Sequence, residues 1–211
     1  MSSLKKHALP TPRPLPVIIL ADVSGSMSED GKIEALNAAL KDMMATFSKE
    51  SRLRAEIQVG LITFGERTQW HLPLVAARSA SGLEELSADG MTPMGAAFDL
   101  ARELLEDKDR IPSRAFRPVL ILLSDGQPND DWEGPFKALC ESDRAQKATR
   151  LAMAIGADAD EDMLREFPNH VEAPLFKAEN ARDIHRFFRA VTISVTTRTV
   201  SQNPNMEVPF V

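Results

Sequence analysis

The chain has a single cysteine, Cys140, among 211 residues. No intramolecular disulfide can form, nothing points to an oxidising compartment, and the thiol reads as a small core residue. Long apolar runs are also lacking, since none approaches the roughly 18 residues that a membrane-spanning helix needs. The amino terminus offers Lys5, Lys6 and His7 and then a string of prolines in place of an apolar segment. No secretory leader is therefore expected, and the expected compartment is the cytoplasm. Basic stripes are missing too: 25 Lys and Arg face 31 Asp and Glu, a net charge of −6. That balance argues against nucleic acid or an anionic membrane as the main partner.

Several catalytic signatures are absent. There is no Gly-x-x-x-x-Gly-Lys-Ser/Thr loop to cradle phosphates and no Gly-x-Ser-x-Gly elbow, and neither Asp22-Val23-Ser24 nor Asp125-Gly126-Gln127 forms the Asp-x-Asp of phosphoryl transfer. His7, His71, His170 and His185 fall in no metal or catalytic spacing and read as surface or satisfied core residues. No internal repeat is present.

What the chain does have is core-forming material, with 43% hydrophobic residues in a length that suits one domain. Val17-Ile18-Ile19-Leu20-Ala21 is a continuous apolar run rich in β-branched residues, the pattern of a strand buried on both faces. Pro118-Val119-Leu120-Ile121-Leu122-Leu123 repeats it, and Leu151 to Ile155 supplies a third. Residues 57–64 predict another strand, with a short return strand at 68–70 as a hairpin to an edge. Residues 73–90 show no clear pattern. Helical spacing appears over 32–48, over about 132–149, in a short piece near 162–167, and in Ile184, Phe187, Phe188, Val191 and Val195. Another helix follows Thr92, with Pro93 expected at its first position and Thr92 as its cap.

Strands alternating with helices predict an α/β fold, a doubly wound, mostly parallel sheet flanked by helices on both faces, with one antiparallel edge strand. The expected organisation is an extended arm over 1–14, the domain over 15–198, and an irregular tail over 199–211 in which Val208, Phe210 and Val211 could dock.

Each of the two central strands ends in an acid. Asp22, Ser24 and Ser26 alternate in a tight turn and can aim one carboxylate and two hydroxyls at one point, a hard oxygen set that suits Mg²⁺. Asp and Ser also favour turns and helix caps for purely local reasons. Asp125 ends the second strand, and Thr92 stands where a helix could start beside both. Asp130, Asp131 and Glu133, just beyond, read as a solvated acidic face.

Together, Asp22-Val23-Ser24-Gly25-Ser26-Met27, Gly90-Met91-Thr92-Pro93-Met94-Gly95 and Leu123-Ser124-Asp125-Gly126-Gln127-Pro128 resemble the metal-ion-dependent adhesion site of von Willebrand factor A domains. The resemblance covers nearly the whole chain. It implies that Ser24, Ser26 and Thr92 contact a bound Mg²⁺ or Mn²⁺, directly or in exchange with water, while Asp22 and Asp125 act mostly through waters. Val23 stands where relatives often have Gly or Thr. The wording looks like the TerY-like bacterial branch, associated with tellurium-resistance and chemical-stress loci, often beside a protein kinase and a phosphatase.

The function this implies is a protein-binding adaptor in which the metal recruits an Asp or Glu of a partner, possibly that kinase or phosphatase. The competing readings are a metal-dependent hydrolase or phosphatase, which lacks a visible base or nucleophile, and a domain whose metal is only structural. The expected docking rim comprises residues 24–28, 91–94 and 127–132. There Met27, Met91, Met94 and Trp132 either add adaptable contact or pack under the loops.

Overall fold

The protein is described from a computed structural model over residues 12–50, 55–80, 82–169 and 174–205. The first strand, β1 (Arg13–Asp22), sends Val17, Ile19 and Ala21 into one core layer and Ile18 and Leu20 into the other. Burial on both faces is why its sequence is apolar without alternation. Beside it lie β2 (Ala55–Phe64) on one flank and β4 (Val119–Ser124) on the other, both parallel to it. The sheet is completed by β3 (Gln69–Ala76), antiparallel on β2, and by β5 (Thr149–Ile155) and β6 (Phe176–Ala178), parallel beyond β4. The order is β3-β2-β1-β4-β5-β6. The chain thus builds outward from β1 in one direction and then returns to build in the other, which makes the β1/β4 junction the topological switch point.

One layer packs α1 (Lys32–Phe47) and α6 (Ala181–Val200) on the sheet through Leu36, Leu40, Met43, Phe187 and Val191. The opposite layer holds α2 (Met94–Glu106), α3 (Glu133–Glu141), α4 (Asp143–Lys147) and α5 (Glu161–Glu166), with Phe98, Phe136 and Phe167 clustered edge-on and offset. The α/β fold expected from the sequence is present, including its antiparallel edge. Among the described residues no helix is long and apolar enough to cross a membrane.

Local details differ from the sequence expectation. The helix expected over 132–149 is two helices, broken at Ser142, whose ψ of 143° is extended. Arg144 explains the break: its guanidinium reaches the Ile111 carbonyl at 2.7 Å and its N–H meets Glu106, so tertiary anchoring overrides local helical periodicity. The return strand runs eight residues to Ala76, with Pro73 on the sheet edge, where a missing N–H costs no ladder bond. In the patternless stretch that follows, the side chain of Asn37 substitutes for a strand partner, pairing with both the N–H and the carbonyl of Leu86 at 2.8 and 2.9 Å. β1 begins at Arg13, and α6 continues to Val200, where buried Arg198 donates to the carbonyls of Pro204 and Arg117. His7, His170, Val208, Phe210 and Val211 lie outside the described residues. Cys140 is half-buried, and burial pushes its thiol up from the ordinary value.

Candidate metal centre

Because Ala21 pairs with Leu123 across β1 and β4, the residues that follow them, Asp22 and Ser124, leave the sheet side by side. Asp22 is fully buried. One carboxylate oxygen, Oδ1, accepts the Ser24 N–H at 2.8 Å, and Oδ2 accepts the Ser124 hydroxyl at 2.5 Å. Burial pushes this carboxyl up to about 6 from the usual 3.8. The two hydrogen bonds favour the charged form but do not offset the lost hydration, and the charge of Asp125 adds to the rise.

The chain then makes a single 3-10 turn, Gly25–Ser28, which lifts Ser26 over the end of β4. The Ser26 hydroxyl donates to Asp125 Oδ1 at 2.8 Å and lies 3.1 Å from Ser24 Oγ. Asp125 is buried too, and its second oxygen meets Lys32 Nζ at 2.8 Å.

A third loop closes in from the side. The Gly25 N–H bonds the Gly90 carbonyl at 3.0 Å. Gly90 has φ +81°, and a Cβ there would stand 2.3 Å from the backbone of Glu66, so only glycine allows this approach. Two residues on, Thr92 is buried, and its Oγ1 lies 3.5 Å from where a Gly126 side chain would begin. The five residues singled out in the sequence, Asp22, Ser24, Ser26, Thr92 and Asp125, thus gather at one edge of the sheet.

Thr92 is not the cap of α2, contrary to the expectation, nor is Pro93 its first residue. Pro93 has φ −77° and ψ 74°, an inverse γ-turn in which the Met94 N–H returns to the Thr92 carbonyl at 2.9 Å. The first free N–H groups of α2 go to Asp130, whose carboxylate accepts from Gly95 at 3.0 Å and Ala96 at 3.2 Å. Asp130 is therefore a cap supplied by another loop and not a solvated charge. Sequence reasoning also missed Ser124, Lys32 and Asn129. A hydroxyl closing an apolar strand was the available signal for Ser124; the Pro128-Asn129-Asp130 turn cluster was the one for Asn129.

Of the apolar residues on the expected rim, Met27 and Met94 are fully buried and pack beneath the loops. Trp132 lies edge-on against Phe136, and Met91 is 63% exposed. Met91 is thus the one methionine of this rim that offers its side chain outward.

The donor set is two carboxylates and three hydroxyls, all hard oxygens. Among the described residues there is no cluster of three His, Cys, Asp or Glu of the kind that softer or more highly charged sites use. The Thr92 hydroxyl, beside the Gly126 turn that follows Asp125, adds a third neutral oxygen to this set. The residues present fit a small divalent cation.

An open α/β sheet with a cluster of hard oxygens at its switch point defines the class. The family follows from comparison: the model of the von Willebrand factor type A domain matches residues 17–127, and the chain belongs to that family. Domains of this family commonly mediate protein interactions and often bind a divalent metal at an adhesion-site motif. No curated protein matches the chain. Among solved structures it is similar to proximal thread matrix protein 1 from the mussel byssus, at 16% identity and TM-score 0.68 over 87% of this chain and 48% of that one. The mussel protein has also been described with a zinc-occupied adhesion-site motif. A von Willebrand factor type A protein from Catenulispora acidiphila aligns at 23% identity and TM-score 0.65, over 87% of this chain and 42% of that one. BatB from Bacteroides thetaiotaomicron aligns at 16% identity and TM-score 0.62 over 87% and 99%. The chain spans about half the length of the mussel protein (48%). At these identities the likeness is one of fold.

Proposed function

We propose that this domain is a non-enzymatic adaptor that holds Mg²⁺ or Mn²⁺ at Asp22, Ser24, Ser26, Thr92 and Asp125 and docks an Asp or Glu of a partner protein there. The observation that carries the reading is the convergence of three separate loops on one group of hard oxygens, with Ser26 tied to Asp125 and Gly25 tied to Gly90. A bound divalent ion would supply an electrophilic position for an incoming carboxylate oxygen. The chain's part is to present Ser24, Ser26 and Thr92 as neutral donors, so that the charge of the ion is not exhausted by its own ligands. Asp22 fixes the Ser24 backbone, and Asp125 holds the Ser26 hydroxyl in place.

Among the described residues no histidine stands at this centre to activate a nucleophile. The described histidines lie elsewhere, His71 on the edge strand against the Glu84 carbonyl and His185 on α6. The motif wording supports placement in the TerY-like branch, in a cytoplasmic bacterial tellurium-resistance or stress-response system, with a kinase or phosphatase of the same locus as the first partner to test.

Affinity capture tests the reading. The tagged domain should retain such a partner in Mg²⁺, lose it in chelator, and lose it in Ser26→Ala and Thr92→Ala with the fold intact. Retention that is indifferent to chelator and to both variants would move the interface to another face.

A further inference from the structure

The first residue of α1 is a lysine, the sign of charge that a helix N-terminus disfavours. Just ahead of it, Asp30 at φ 53° and Gly31 at φ 71° turn the chain through two consecutive left-handed residues, a conformation uncommon outside glycine. This turn lets the Lys32 side chain reach across the Gly25–Ser28 segment. Its Nζ lies 2.8 Å from Asp125 Oδ2 and 3.4 Å from the Ser26 carbonyl. Only 17% of the side chain is exposed, and the Asp125 side chain is fully covered. A buried carboxylate thus has a fixed cation of the chain's own, although neither helix polarity nor local backbone preference favours a lysine there.

We propose that Lys32 sets the charge of this centre: its ammonium is the resident counter-cation of Asp125, which weakens metal binding and makes the loaded site select an anionic ligand. The proposal rests on the metal reading given above. Asp22 and Asp125 carry two negative charges, and Lys32 cancels one. A divalent ion therefore leaves the centre with a surplus positive charge, whereas without the lysine the sum would be zero. A site with no surplus has little to distinguish a carboxylate from a neutral amide, and one with a surplus does. The same lysine is a positioning residue, since it fixes Oδ2 while Ser26 takes Oδ1, and so it sets the plane of the Asp125 carboxylate.

Calorimetric titration of MgCl₂ into chelator-stripped wild type, Lys32→Met and Lys32→Arg tests this, paired with thermal unfolding in chelator and in saturating Mg²⁺. Lys32→Met should bind Mg²⁺ about tenfold more tightly, the order expected for removing one nearby like charge at a partly screened site. Its unfolding temperature should fall in chelator, where Asp125 has lost its cation, and the deficit should close once Mg²⁺ is bound. A merely structural lysine would lower both by the same amount. In saturating Mg²⁺, a labelled oligoglutamate peptide should bind Lys32→Met several-fold more weakly than wild type, with oligoglutamine as the neutral control, and Lys32→Arg should stay near wild type throughout. Should Lys32→Met fail to fold, Lys32→Gln keeps a donor without the charge and carries the same comparison. Mg²⁺ affinity unchanged or weakened in the uncharged variant overturns the role of Lys32 and leaves the metal reading standing. Absence of any Mg²⁺ binding by wild type overturns the metal reading and this proposal together.

Discussion

Asn129 holds the backbone of Thr92 from both sides: its side-chain oxygen accepts the Thr92 N–H at 3.1 Å, and its own N–H reaches the Thr92 carbonyl at 3.2 Å. Thr92 therefore keeps its place through the loop that follows Asp125, and the third arm of the site is only as rigid as that clamp. Asn129→Ala removes one of these bonds and leaves a part-buried N–H unpaired, at a cost of about 1 kcal/mol. The expected result is a modest loss of stability in urea together with weakened Mg²⁺ binding by calorimetry. A stability loss with wild-type Mg²⁺ affinity would separate Thr92 from the metal.

The cap from Asp130 makes a second prediction. Asp130→Ala strips the partner from the Gly95 and Ala96 N–H groups and should cost about 1 kcal/mol, while Asp130→Asn should recover most of it. Urea denaturation of the two variants is the check. Equal loss in both would assign the effect to charge and not to capping.

Stability against pH, measured in chelator, should carry the mark of Asp22. Its carboxyl is raised to about 6 in the folded chain against 3.8 when exposed, so between those values the folded state binds a proton that the unfolded state has released. Stability should therefore fall as pH rises through that window and level off above it, by about 3 kcal/mol in all at 1.36 kcal/mol per unit. Asp22→Asn should abolish the slope and stabilise the stripped protein near neutrality, while losing Mg²⁺ binding. A flat wild-type profile between pH 4 and about 6 would show that the carboxylate is better solvated than its burial implies.

The fold should survive removal of the metal. Both core layers are built from apolar side chains, with Phe98 and Phe167 buried in one and Phe187 and Phe188 in the other. Circular dichroism in chelator should retain the helical signal, unlike that of a small domain held together by its ion. Collapse of that signal would make the ion structural.

The parts of this architecture that were legible in the sequence are those written in contiguous residues. Val17–Ala21 and Val119–Leu123 are apolar at every position because helices cover both sheet faces, and each run stops where a polar turn must begin, which marked Asp22 and Asp125 as acids at strand ends; their adjacency comes from the pairing of the two strands. The remaining features depend on contacts between distant segments. Lys32 meets Asp125 across 93 positions, Asn37 meets Leu86 across 49, and Asp130 meets Gly95 across 35, and no local propensity encodes any of them. Ser142 is the same lesson in a helix: a periodic stretch broken because Arg144 is held by Ile111. Thr92-Pro93 read as a cap because that dipeptide caps helices when nothing else claims its backbone, and here Asn129 does.

The central claim is that this convergent set of oxygens holds a divalent ion, and calorimetric titration of MgCl₂ tests it most directly, with the wild type compared against Asp22→Ala, Ser26→Ala and Asp125→Ala. The account predicts one binding event per chain in the wild type, strongly weakened in all three variants, with each variant still folded by circular dichroism. Wild-type affinity in the folded variants, or no binding by the wild type at all, would contradict it.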